Sequence, residues 1–285
     1  SRESRLAVIQ SELVMEGLSR LHPELELELV TMKTTGDRIL DRTLDKIGGK
    51  GLFVRELDAA LREGRADLSV HSCKDLPMEE APDLPLLAFS VREDPRDVLV
   101  LPQGVQELDP AKPVGCASPR RALQFQALYP GVRVEPVRGN LQTRLRKLDE
   151  GQFSALILAA AGLRRLGLEE RIFRIFSPEE ILPAGGQGIL AVQGRADLDP
   201  ACLAGWGDPD SRDWALAERA FVRMLGGGCS SPVAAYATTA GETLTLHGLY
   251  VTPEDQMVRG TVCGPRTQGP DLAAGLARRL KEELA

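Results

Sequence analysis

Three stretches carry residue types at spacings that could do chemistry. In Val70-His-Ser-Cys-Lys-Asp-Leu-Pro77 an ammonium, Lys74, stands beside a carboxylate, Asp75, after the alternating Leu68 and Val70 of a short strand and before a proline that ends ladder pairing. A charged pair at a strand end lies where open α/β sheets put ligands, although such a pair alone is more often a solvated turn with a surface ion pair. Residues 112–148 hold eight Lys or Arg against one acid, a local +7 inside a chain of net charge −6. Within that stretch, Ser118 before Pro119 predicts a helix start with Arg120 and Arg121 in its first turn. Asn140 predicts a second start, with Arg138 just before it and Arg144 just inside. Arginines oppose the helix dipole at such an end, so a bound anion would account for them; two helices with solvated basic faces are the alternative. The third stretch, Gly226-Gly-Gly-Cys-Ser-Ser-Pro232, either presents Cys229 on a short loop or buries it as a small hydrophobe.

Charge and composition narrow the partners. A net charge of −6 argues against bulk binding to nucleic acid or anionic membrane. No apolar run reaches the ~18–20 residues of a membrane span, and Ser1-Arg-Glu-Ser-Arg5 lacks a signal-peptide apolar region, so a cytoplasmic protein is expected. The cysteines Cys73, Cys116, Cys202, Cys229 and Cys263 are scattered without C-x-x-C spacing; reduced thiols and no metal site are expected. Residues 35–51 mix charges with glycines and read as a loop over a site. Lys50 is followed by Gly51 where a P-loop needs Ser or Thr, so nucleotide binding is not expected.

The elements that must position these groups follow from periodicity. Leu6, Ile9, Leu13, Leu18 and Leu21 predict a helix over 4–21, capped by Ser4 and closed by Pro23, which sets Arg2 and Ser4 at an anion-attracting end; an arginine in a solvated terminus accounts for Arg2 equally well. Residues 25–30 alternate as a strand, and 52–62 return to helical spacing. Strands are predicted over 84–91 and 97–101, joined by the charged turn Arg92-Glu-Asp-Pro-Arg96. A buried strand over 153–161 precedes the basic pair Arg164-Arg165, Ser177-Pro-Glu-Glu180 reads as a helix start, and Leu182-Pro-Ala-Gly-Gly-Gln-Gly188 reads as a glycine-rich crossing before a strand over 189–193. This alternation predicts parallel-sheet α/β units, and two crossings predict two lobes with a cleft between them. A helix over 214–225, strands over 236–238, 243–251 and 256–263, and a helix over 271–284 predict a separate α+β domain.

In collinear order, Gly48-Gly-Lys-Gly-Leu-Phe53, Val70-His-Ser-Cys-Lys-Asp-Leu-Pro77, Arg138-Gly-Asn140 with Thr143-Arg144, Leu182-Pro-Ala-Gly-Gly-Gln-Gly188 and Glu218-Arg219 followed by Gly227-Gly-Cys229 resemble the porphobilinogen deaminase (hydroxymethylbilane synthase) family over nearly the whole chain. The resemblance implies an α/β fold of two doubly wound lobes similar to periplasmic binding proteins, plus a small α+β C-terminal domain. The implied division is 1–92 with 188–206, then 93–187, then 207–285. It also implies an enzyme of tetrapyrrole (haem) biosynthesis that joins four porphobilinogens head to tail and releases ammonia and hydroxymethylbilane; nothing in the sequence demands more than a monomer. By resemblance Cys229 carries a dipyrromethane cofactor through a thioether, and Asp75 and Lys74 are catalytic. Arg2, Ser4, Ser72, Lys74, Ser118, Arg120, Arg121, Arg138, Arg144 and Arg165 would hold carboxylates of cofactor and substrate, and Lys46, Lys50 and Phe53 would belong to a lid. Expelling ammonia leaves an azafulvene cation that a carboxylate can stabilise, and each ring brings acetate and propionate arms that guanidinium groups can hold. Cys73 is a second thiol, beside the proposed catalytic pair, that would be open to oxidation. A two-lobed anion binder without catalysis would need the same arginines but has no use for Cys229.

Overall fold

Local sequence is enough to start the first helix. In α1 (Arg5–Leu21) the Ser4 hydroxyl accepts from the Ala7 amide at 3.4 Å, and the helix stops at His22, ahead of Pro23. The computed structural model describes residues 1–34, 54–228, 231–252 and 256–283. After α1 the chain runs extended, with Leu25, Leu27 and Leu29 half-buried and Glu26 and Glu28 exposed. The alternation is that of the expected strand, but the described pairing is one bridge between Arg2 and Met32, with the Ser1 amine donating to the Val30 carbonyl at 2.7 Å. Residues 25–30 form no strand because the neighbour across that bridge turns at once into α1.

Next come α2 (Arg55–Arg62), β1 (Leu68–Ser72), β2 (Leu86–Phe89), β3 (Asp97–Val100), β4 (Val114–Gly115), α3 (Pro119–Leu128), β5 (Val134–Glu135), α4 (Leu141–Asp149), β6 (Ala155–Ala159), α5 (Ala160–Arg165) and β7 (Ile172–Ile175). They are followed by β8 (Leu190–Gly194), α6 (Pro209–Met224), β9 (Ala234–Ala240), β10 (Thr243–Val251), β11 (Met257–Pro265) and α7 (Gly269–Glu282). The described strands form three sheets, in the orders β1-β8-β2, β5-β4-β6-β3-β7 and β11-β10-β9. The parallel expectation holds for β4 with β5 and β6. It fails for β8, antiparallel to β1 and β2, and for β3, antiparallel to β6 and β7. The exceptions share a cause: β3 and β8 are the strands by which the chain enters one sheet from the other, so each runs away from the hinge while its neighbours run toward it.

The two crossings lie side by side. The Glu93 amide donates to the Gly188 carbonyl at 3.1 Å, and Arg92 Nε donates to the Gln187 carbonyl at 3.0 Å. Gly188 has φ +90°, and a Cβ there would collide with the Glu93 carbonyl, so glycine is what lets the crossings touch. The helix expected from Ser177 is a single turn, with the Ser177 carbonyl accepting from Glu180 and Ile181, because Pro183 cannot continue it. In the last domain α6 starts at Pro209 rather than near 214, since Asp208 caps it by accepting from Ser211 at 2.8 Å. Helices α6 and α7 cover the β9–β11 sheet through buried Phe221, Leu244, Leu246, Leu276 and Leu280.

Candidate active site

Between the sheets lies a cleft of about 280 Å³ whose polar lining includes Ser72, Lys74, Asp75, Arg121, Arg144 and Arg165. Strand β1 delivers the first three. It ends at Ser72, whose hydroxyl accepts from Gln10 Nε2 of α1 at 2.9 Å, and a 3-10 turn, Cys73–Asp75, follows. The turn is anchored where the Cys73 amide donates to the Ile189 carbonyl at 3.0 Å, with the Cys73 side chain inward and Asp75 exposed to the cleft. The opposite wall comes from helix starts. Asn140 caps α4 by accepting from Thr143 at 2.9 Å, as expected; Ser118 occupies the cap position of α3 but its side chain makes no cap bond.

Buried charge divides this site into two parts. On the wall, Asp97 is fully buried and accepts from Arg120 Nη1 at 2.7 Å, Arg121 Nε at 2.8 Å and Gln187 Nε2 at 2.9 Å. Burial alone would raise the Asp97 carboxyl, but the two guanidinium groups outweigh it and hold it at about 2. Around the cleft the situation is reversed. Burial, with Arg121 repelling, brings Lys74 down to about 8, against the pull of Asp75 and Asp97. Burial likewise lowers Arg144 and Arg165 to about 10 each. Arg144 Nε donates to the Gly139 carbonyl at 2.8 Å, and Arg165 Nη2 to the Gly188 carbonyl at 2.5 Å. Among the described residues no carboxylate lies within ion-pair distance of these three cations. An anionic ligand would complete them.

Of the residues expected at the site, Ser72, Lys74, Asp75, Ser118, Arg120, Arg121, Arg144 and Arg165 line one cleft. Arg120 does so at its edge: it is 2% exposed and its Nη1 serves Asp97 and the Leu182 carbonyl. Arg2, Ser4 and Arg138 lie outside the described lining. Lys46, Lys50, Phe53 and Cys229 fall outside the described residues; Gly228 and Ser231, on either side of the Cys229 segment, do line the cleft. The expectation that Cys73 is open to oxidation is corrected. Its side chain is fully buried, and burial pushes the thiol up to about 12, which disfavours the reactive thiolate.

The first 202 residues match the family model described as "Porphobilinogen deaminase, dipyromethane cofactor binding domain", and residues 214–284 match "Porphobilinogen deaminase, C-terminal domain". The chain belongs to the porphobilinogen deaminase family. Relatives named porphobilinogen deaminase include that of Acetivibrio thermocellus, 55% identical over 280 residues (98% of this chain, 96% of that protein). The one from Alkaliphilus oremlandii is 56% identical over 283 residues (99% and 96%). Among solved structures, the Bordetella pertussis BvgS periplasmic VFT2 domain aligns at 19% identity with a TM-score of 0.37, covering 68% of this chain and 73% of that one. As a member of the porphobilinogen deaminase family the chain is an enzyme, a transferase.

Two residues at this candidate site escaped sequence reasoning. Asp97 opens an otherwise apolar strand, and an acid at the head of a wholly buried strand is the signal that could have marked it. Gln187 belongs to the glycine-rich crossing, where the glycines suggested backbone geometry and drew attention away from its side chain. A third feature, the pair Arg92–Glu218 at 2.8 Å, joins the first crossing to α6 and lies just behind the cleft.

Proposed function

We propose that this cleft joins porphobilinogens head to tail on a dipyrromethane held through a thioether at Cys229, releasing ammonia and, at four rings, hydroxymethylbilane. The observation that carries the reading is the set Lys74, Arg144 and Arg165: half-buried cations without a carboxylate partner among the described residues, facing the same space as exposed Asp75. Porphobilinogen brings two carboxylates per ring, so the donor set fits both substrate and cofactor. Gly228 and Ser231 on the cleft lining support attachment at the neighbouring Cys229. When bound, dipyrromethane would supply the free pyrrole carbon to which the first unit is joined, each later unit joining the one before it.

The chain's own residues have separable tasks. Arg121, Arg144 and Arg165 bind acetate and propionate arms through charge-assisted hydrogen bonds. Asp75 offers a carboxylate to the pyrrole N–H groups, where positive charge develops as ammonia leaves, and moves protons at that point. Lys74 orients a carboxylate next to it. We divide the chain as 1–92 with 188–206, 93–187 and 207–285, a division supported by the crossings between the first two sheets.

Intact mass and porphobilinogen consumption of the wild type, Cys229→Ser and Asp75→Asn test this together. The expected mass excess equals two porphobilinogens less two ammonias in the wild type and in Asp75→Asn, and is absent in Cys229→Ser. Turnover of Asp75→Asn should fall by about 10²–10⁴-fold, the usual worth of a general acid–base group. Near-normal turnover of Asp75→Asn, or an unmodified wild-type mass after incubation with porphobilinogen, would overturn the reading.

A further inference from the structure

The side chain of Gln187 is fully buried and makes every hydrogen bond that a carboxamide can make. Its Nε2 donates to the Pro95 carbonyl at 2.6 Å and to Asp97 at 2.9 Å; its Oε1 accepts from Lys74 Nζ at 3.2 Å and from Arg121 Nη2 at 3.2 Å. The amide can point only one way, because Lys74 and Arg121 have no acceptors and Pro95 and Asp97 offer no donors. Its partners come from both sides of the cleft. Lys74 follows β1 of the first sheet, Arg121 lies on α3 beside the second, and Gln187 itself sits on the crossing between them, its carbonyl held by Arg92.

We propose that Gln187 is a positioning residue for the polymerisation: its side-chain carbonyl gathers the Lys74 ammonium and the Arg121 guanidinium at one point, so that a ligand carboxylate beside Asp75 meets cations from both lobes. Two like charges converging on one buried spot repel, and a neutral oxygen accepting from both offsets that repulsion without neutralising either. A carboxylate at the same position would compete with the ligand, and an apolar side chain would let the cations separate. The inference rests on reading the cleft as the porphobilinogen site.

The test compares Gln187→Met and Gln187→Glu with the wild type as full-length protein. Trace acetylation with acetic anhydride across neutral to alkaline pH, read by mass spectrometry of the Lys74 peptide, follows the titration of Lys74. The charged groups acting on Lys74 are Arg121, Asp75, Asp97 and Arg120. Losing the acceptor in Gln187→Met should move the titration to lower pH, and adding an anion in Gln187→Glu should move it to higher pH, each by roughly tenfold in proton affinity. The alkaline limb of kcat/KM should follow the same two directions, and kcat/KM of Gln187→Met should fall roughly tenfold, the loss of one charged hydrogen bond. A Lys74 titration unchanged in both variants would overturn the proposal, even if activity fell; should Gln187→Met not fold, Gln187→Glu decides alone. A wild type that consumes no porphobilinogen would defeat the functional reading, while the Lys74 titration would still decide the placement of the cations.

Discussion

Two groups of cations, one buried and one half-buried, lie within one site and differ in what answers their charge. Arg120 and Arg121 share the carboxylate of Asp97, and behind them Arg92 forms a two-pronged pair with Glu218, both oxygens at 2.8 Å. Lys74, Arg144 and Arg165 meet carbonyl oxygens instead. The first group completes the fold, Arg121 at the same time lining the cleft. Burial lowers the proton affinity of Arg120 as well, yet Asp97 answers its charge; in the second group no carboxylate among the described residues does, and a ligand that carries carboxylates relieves the cost of desolvation. An arginine-rich segment is therefore not a binding site as a whole: where each internal carboxylate lies decides which of its cations are structural.

The largest effect that could break this division is on stability. Asp97→Asn leaves Arg120 and Arg121 buried without their anion and should cost about 3–5 kcal/mol in denaturant unfolding. A loss below about 1 kcal/mol would erase the difference between the two groups. Arg144→Gln should do the opposite, leaving stability within ~1 kcal/mol or raising it while slowing porphobilinogen consumption by roughly 10–100-fold, since a hydrogen bond to a charged group is worth about 1.5–3 kcal/mol. Marked destabilisation by Arg144→Gln would place it with the structural arginines.

Titration provides the smallest and most discriminating effect, because the signs differ. Asp97, held at about 2 against an ordinary 3.8, contributes stability that is complete above 3.8 and is lost as pH falls toward 2. Lys74 is lowered from 10.5 to about 8, so the unfolded chain binds more protons between those values. Its charge therefore disfavours the ligand-free fold at neutral pH, and that penalty fades as pH rises from about 8 to 10.5. Ligand binding should weaken over the same rise. Unfolding and anion affinity followed against pH, with Asp97→Asn and Lys74→Met as controls, separate the two.

Much of this molecule is legible from neighbouring residues. The caps at Ser4 and Asn140 and the alternation of β10 depend on groups within a few positions of each other, and short-range backbone and side-chain geometry decides them wherever the chain goes. The Lys74-Asp75 pair and the glycine-rich crossing are marked by residue type for the same reason. What only the tertiary structure decided is which distant groups meet: β8 running against β1, Asp97 receiving two arginines more than twenty positions away, Gln187 reaching Lys74 across 113 positions, and Glu218 answering Arg92 across 126. A buried charge needs a partner, and the sequence shows that need, but the partner is supplied by whichever segment the fold brings alongside.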